Sequence, residues 1–363
     1  MNRLLNSLIL IFASSILQAQ VNTDALKFKM DSVLSGISEN GPGASIYIQQ
    51  GNQTLYSNSF GLVNTKTKEK FTENTISNIG GISKTFIAYS ILILHQQGKL
   101  SIEDPVNKYF PDFVNKEIAS KVTIKHLLMH TSGFVDLLLS KKDSISAIKI
   151  NDEQNFESLK STNKLAFEPG SNFSYSNKAY SGLVLIIERM SGLKFGEFVS
   201  QNILVPSGMT FTKFTNNLLP EAGVAHAYRT LNKKFKEYDT NECPGMETMS
   251  SAGIWTNIVD LRKYMNAIKY HIFLDSSSVK LSQQFATPLL EKKSEPSTHG
   301  ICWFGATPKN KDAFIEYHGN QCAFRAYIIY FPEKELTVFY LSNNQKDYSK
   351  ILVSQLKRLN FIQ

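Results

Sequence analysis

Ile79-Gly80-Gly81-Ile82-Ser83-Lys84-Thr85-Phe86 opens an apolar stretch that continues to Gln97 and meets Gly98. The stretch reads as a helix from Gly81 to Gln97, and Gly98 stands where a left-handed residue closes a helix. Lys84 follows Gly81 by three positions, about one turn on and on the same helical face. A first helical turn presents unbonded backbone N–H groups and the positive end of the helix dipole. An amine placed there can serve as a base, and the free N–H groups can stabilise a developing oxyanion. Ser83 is adjacent to Lys84, so on a helix it points about 100° away.

Secondary-structure signals extend in both directions. Residues 22–37 carry Leu26, Phe28, Met30, Val33 and Leu34 at helical spacing. After Gly41-Pro42-Gly43, Ala44–Ile48 and Thr54–Phe60 read as a hairpin turning at Gln50-Gly51-Asn52. Thr123 starts a helix through Leu127, Leu128 and Met129 that ends at Ser132-Gly133. Tyr180–Met190, stopped by Ser191-Gly192, and Ile258–Ile268 are further helices. Phe324–Tyr330 and Leu336–Leu341 are rich in β-branched and aromatic residues and form a second hairpin across Pro332-Glu333-Lys334-Glu335. Asp347–Leu359 is a closing helix. Strands at both ends predict one antiparallel sheet built from both chain ends and flanked by helices, with a mostly helical subdomain between. The sheet part is expected over residues 20–80 and 290–363, and the helical part over 81–289.

The chain has 363 residues, 42% of them hydrophobic and 19% charged, which excludes a disordered chain. Its formal charge of +8 is scattered, and no arginine–aromatic cluster points to a nucleic-acid partner. Arg3, the apolar run Leu4–Leu17 and the small Ala19 have the form of an export signal over residues 1–19. The run is too short for a comfortable membrane span, so no stable span is expected after signal removal. A periplasmic or secreted protein follows. The seven histidines lack ligand spacing; His126 and His130, four apart on a helix, are structural in this reading. No metal or cofactor is expected. Cys243, Cys302 and Cys322 match no zinc pattern and leave open one disulfide or three buried thiols.

Further motifs follow in order: Gly98-Lys99-Leu100 with Asp104-Pro105-Val106; Leu127-Leu128-Met129-His130-Thr131-Ser132-Gly133; Phe167-Glu168-Pro169-Gly170; Phe173-Ser174-Tyr175-Ser176-Asn177; Ser251-Ala252-Gly253 with Asp260-Leu261; and Tyr330-Phe331-Pro332-Glu333 with Leu341-Ser342-Asn343. Together with residues 79–86 they resemble the class C β-lactamase, DD-peptidase and esterase group, which has a β-lactamase/transpeptidase-like α/β fold. The resemblance covers nearly the whole mature chain. It implies a nucleophilic serine three residues before Lys84, a position held here by Gly81. It implies Tyr175 as a proton relay and Asn177 as a hydrogen-bonding partner of substrate or lysine. It places a third, substrate-binding element at Tyr317-His318-Gly319-Asn320. Either register departs from the family's Lys-Thr-Gly or His-x-Gly: from His318 the third residue is Asn320, and from Tyr317 the first is a tyrosine. His318, Gly319 and Asn320 are the candidate binding residues, with the Asn320 side chain crowding the substrate groove.

The resemblance implies a small-molecule or peptide ligand of cell-wall type: a peptidoglycan-like peptide, a D-amino-acid compound or a small acyl amide or ester. With Gly81 at the nucleophile position, the expected protein is a catalytically impaired homologue. Alternatives are an active hydrolase using activated water or a substitute serine, Ser83 or Ser77, and a structural envelope protein.

Overall fold

A computed structural model describes residues 23–134, 136, 151–215, 223–232, 234–238, 248–285, 298–306 and 312–363. Seven antiparallel strands form the main sheet. In chain order they are β1 (Ala44–Gln50), β2 (Gln53–Phe60), β3 (Thr298–His299), β4 (Phe304–Ala306), β5 (Phe314–Gln321), β6 (Phe324–Phe331) and β7 (Leu336–Ser342). Their spatial order is β3-β4-β5-β6-β7-β1-β2, so the N-terminal hairpin joins the C-terminal strands at the β1–β7 seam. Ala44 pairs with Ser342 and Gln50 with Leu336 along that seam. The predicted sheet of both chain ends is therefore present. It also contains β3, β4 and β5, strands that precede the hairpin read from the sequence.

The two faces of the sheet bury different sets of residues. Strand side chains alternate between faces, and one face packs Ile46, Ile48, Tyr327, Ile329 and Tyr340 against the terminal helices. Helix α1 (residues 23–34) contributes Leu26, Met30 and Leu34 at four-residue spacing. Phe28, two positions off that stripe, is 71% exposed. The closing helix, Ser349–Arg358, contributes Leu352 and Leu356. The opposite face packs Tyr47, Ile315, Tyr317, Ala326, Ile328, Phe339 and Leu341 against the helical part.

Helix α2 (Ser83–Gln96) is the centre of that part. Every residue from Ser83 to Leu94 is buried, which marks a helix enclosed on all sides rather than an amphipathic surface helix. It begins later than the sequence suggests: Gly80–Ile82 form a 3-10 turn, and the α-helix starts at Ser83. Gly98 adopts φ +69° beyond its end, as the sequence predicts. Helix α3 (Asn177–Ser191) is capped by the Ser176 hydroxyl, which accepts from Ala179 N–H, and is closed by left-handed Gly192. A small second sheet pairs Ser77–Asn78 and Lys213–Phe214 with the two sides of Ile254–Thr256. Strands of two or three residues carry no readable period, so the sequence gives no sign of it.

Cys302 is a free, buried thiol and Cys322 is disulfide-bonded, while Cys243 lies outside the described residues. The expected export signal also lies outside them. Among the described residues no helix is long and apolar enough to cross a membrane.

Candidate active site

The small sheet fixes the turn before α2. The Asn78 side chain donates to the Ala252 carbonyl at 2.7 Å and accepts from Gly80 N–H at 2.8 Å. Gly80 holds φ +50°, and a Cβ there would lie 2.7 Å from the backbone nitrogen of Asn320. Only glycine fits, on grounds of both conformation and space. Gly81 follows with its α-carbon facing the site. A Cβ on Gly81 would lie 3.2 Å from the His318 carbonyl oxygen, 3.3 Å from Tyr317 Cε1 and 3.4 Å from the Tyr175 hydroxyl. These contacts are tight, but a serine fits if its neighbours yield by a few tenths of an ångström.

Lys84 is 1% exposed, and its ammonium donates to Asn177 Oδ1 at 2.8 Å and to the Ser250 carbonyl at 3.2 Å. Its nitrogen also lies 5.2 Å from the Tyr175 ring centre and 5.4 Å from that of Tyr180. The partners of Lys84 are held in turn. The Asp136 carboxylate accepts from the Ser176 hydroxyl at 2.6 Å and Asn177 N–H at 2.7 Å, which fixes the start of α3. Asp152 accepts from Met249 N–H at 2.7 Å and Ser250 N–H at 3.3 Å, which steadies the loop carrying the Ser250 carbonyl. Burial raises the Asp152 pKa against the opposing pull of these hydrogen bonds. Neither aspartate is recognisable from the sequence, because each accepts from groups far along the chain.

The two alternative serines are placed differently. The Ser83 hydroxyl is fully buried and accepts from Ile254 N–H at 3.3 Å, toward the small sheet. The Ser77 hydroxyl is buried on the strand before the turn, without a hydrogen-bond partner.

Strand β5 forms the third wall. A Cβ on Gly319 would lie 2.0 Å from the Ile79 carbonyl oxygen, so this is the glycine position at which strand and turn touch. The register is therefore Tyr317-His318-Gly319. Alternation along β5 turns Tyr317 inward, into the core beside Gly81, and His318 to the other face. There His318 pairs with Tyr327 at 4.3 Å between rings and lies 3.5 Å from the Glu316 carboxylate. His318 thus contributes its carbonyl, not its imidazole, to the site. Asn320 is exposed on the same outer face as His318, away from the groove its side chain was expected to crowd. The structure brings together Gly81, Lys84, Tyr175, Asn177 and Gly319, and it adds Tyr317.

Two buried histidines stand behind Tyr175. His130, in the left-handed region at φ +56°, stacks on Tyr175 at 4.3 Å and on Tyr180 at 4.9 Å. His299, on edge strand β3, meets the His130 ring at 4.8 Å. Burial pushes His130 well below the usual imidazole range, and the neighbouring His299 ring and the Lys84 charge add to the fall. Burial also takes His299 down to about 3, with the Gly300 backbone opposing and the Lys84 charge adding to the fall. Both rings are therefore neutral at physiological pH. Burial raises the Tyr317 hydroxyl well above its usual range, and the nearby Tyr175 adds to this. Among the described residues no group of three or more His, Cys, Asp or Glu could hold a metal ion. His126 instead closes a capping box, its Nδ1 accepting from Thr123 N–H at 3.1 Å.

On the central helix of an α/β scaffold, a buried lysine thus faces a tyrosine and an asparagine from the start of α3. Residues 30–352 match the Beta-lactamase family model, and the chain belongs to that family. It is 26% identical over 331 residues to Penicillin-binding protein 4* of Bacillus subtilis, covering 87% of this chain and 72% of the relative. Protein flp of Staphylococcus aureus is 27% identical over 327 residues; the match takes in 87% of this chain but only 62% of that protein. The octameric penicillin-binding protein homologue from Pyrococcus abyssi superposes with a TM-score of 0.77 at 24% identity, over 91% of this chain and 76% of that one. That last likeness speaks to the fold.

Proposed function

We propose that this chain is an exported member of the Beta-lactamase family that binds a peptide-like or small acyl amide or ester and is catalytically impaired. The supporting observation is the environment of Gly81. Lys84, Tyr175 and Asn177 surround a position with no side chain, and the Tyr175 hydroxyl would stand 3.4 Å from a Cβ there. Double-displacement chemistry needs an oxygen at that point to form and then release an acyl ester. Ser83 is bonded to Ile254 N–H and does not supply it. The retained polar groups still suit a ligand carbonyl, and the likeness to a penicillin-binding protein supports a peptide-like ligand in general terms. Export rests on the form of residues 1–19, and N-terminal sequencing of the mature protein tests it.

A fluorescent penicillin and a panel of chromogenic esters test the chemistry on the native protein and on Gly81→Ser. The expected result is no covalent label on the native protein and labelling or ester turnover in the variant. A stoichiometric acyl adduct on native Ser83 or Ser77, located by mass spectrometry, overturns the reading.

A second reading, hydrolysis by directly activated water, is favoured by one observation: Lys84 keeps its hydrogen bonds to Asn177 and Ser250. Turnover without an adduct, abolished by Lys84→Ala, would establish it in place of the first.

A further inference from the structure

Four buried polar atoms lie without a well-formed hydrogen bond on the inner side of the site. They are the Tyr317 hydroxyl, His130 Nε2 and both ring nitrogens of His299. The three side chains are 1%, 0% and 2% exposed respectively. They are neighbours: the His130 and His299 rings are 4.8 Å apart, and those of His299 and Tyr317 are 6.3 Å apart. Tyr175, the half-exposed member of the site, stacks on His130 and lies beside the Tyr317 hydroxyl without completing a hydrogen bond of good geometry. Folded proteins leave few buried polar atoms unpaired, and four in one cluster call for a shared partner.

The hydrogen-bonding character of the cluster is specific. His130 Nδ1 accepts from Ser176 N–H at 3.1 Å, so in the neutral ring Nε2 carries the proton and donates. Neutral His299 offers one donor and one acceptor, and the Tyr317 hydroxyl can act as either. The cluster thus presents donors and an acceptor together, with no charge of its own. Its neighbouring cation, Lys84, is turned to Asn177 and the Ser250 carbonyl. The inward side chains of β5 are Ile315 and Tyr317, with Gly319 completing that face, and none is charged. A carboxylate brought against this wall would lose water and gain no cation from β5, which is costly. A carboxamide brings an acceptor oxygen and donor hydrogens without charge, and so matches both kinds of group.

We propose that Tyr317, His130 and His299 form the recognition end of this site and take an uncharged carboxamide-type group in preference to a carboxylate. This rests on the reading of the site as an acyl-compound site given under Proposed function. A site built to hydrogen-bond one group discriminates strongly against an analogue that leaves its polar atoms unpaired.

Calorimetric titration of the full mature chain at neutral pH with N-acetyl-D-alanyl-D-alaninamide, and separately with the corresponding free acid, tests the proposal. The amide is expected to bind at least about tenfold more tightly than the acid. Tyr317→Phe, which keeps the ring, and His299→Phe should each bring the two affinities together. An acid that binds as well as the amide overturns this proposal and leaves the acyl-site reading standing. An amide preference that survives in both variants likewise overturns this proposal alone. Absence of binding by either compound at millimolar concentration overturns both readings together.

Discussion

Gly319 and Ile79 meet backbone to backbone: a Cβ on Gly319 would stand 2.0 Å from the Ile79 carbonyl oxygen. Gly80 and Asn320 repeat the contact one residue further on, at 2.7 Å. Strand β5 is therefore clamped to the turn that starts α2, and the position of Gly81 relative to Tyr317 is set by main chain rather than by adjustable side chains. Gly319→Ala must force the two apart, with an expected loss of about 1–3 kcal/mol or more. Urea unfolding measures this. Gly36→Ala is the control: the nearest atom to its added Cβ is 3.7 Å away, and its expected change lies within about 0.5 kcal/mol. Equal midpoints for the two variants would refute the clamp.

Lys84 and Asn177 are expected to be energetically coupled. Asn177→Ala withdraws the acceptor 2.8 Å from a buried ammonium and should cost about 1.5–3 kcal/mol, the range for hydrogen bonds to charged groups. In a Lys84→Met background the same change should cost much less, because no charge is left unpaired. A double-mutant cycle of unfolding free energies reads the difference. A cycle that closes to zero means that the two residues do not depend on each other.

The buried histidines give the protein a directional response to acid. His299 is held near 3 and His130 well below its reference value of 6.5. Both stay neutral in the folded chain while their unfolded counterparts take up protons below pH 6.5. The unfolded state then binds more protons, so stability is complete above that pH and is lost as pH falls toward 3. Each histidine contributes a slope of up to about 1.4 kcal/mol per pH unit. Urea melts between pH 6.5 and 4.5 should show the fall, and His299→Phe should remove one histidine's share. An unchanged slope in that variant would mean that His299 protonates in the folded protein.

Much of the fold was legible because helix ends and hairpins are local events. Thr123 caps its helix through its own hydroxyl, and Gly98 and Gly192 close theirs in the left-handed region, as residue type and position suggest. Phe324–Tyr330 announces strand β6 by composition alone. The third wall was harder to read. Ile315, Tyr317, Tyr327 and Ile329 bury apolar surface on both faces of the strand pair, so periodicity does not say which face meets the site. His318, the polar member, attracted the functional reading, yet it belongs to the outer face with Glu316 and Tyr327. What fixes the register is the Gly319–Ile79 contact, between segments far apart in the chain. Asp136, Asp152 and His299 stayed hidden for a related reason. Each acts through partners brought near only by the tertiary fold, and nothing in its immediate sequence sets it apart.

The β1–β7 seam also governs when this protein can fold. Gly43 N–H donates to the Asn343 side chain at 2.7 Å across 300 positions of sequence, and the same side chain donates to the Leu62 and Val63 carbonyls at 3.1 Å. During synthesis the hairpin of β1 and β2 emerges long before its partner strand and waits with one edge unpaired. Such an edge is a template for pairing with other chains, and pairing across so long a separation is slow. The seam therefore closes only when the last strands are available, and a chain lacking them keeps that edge of the hairpin open.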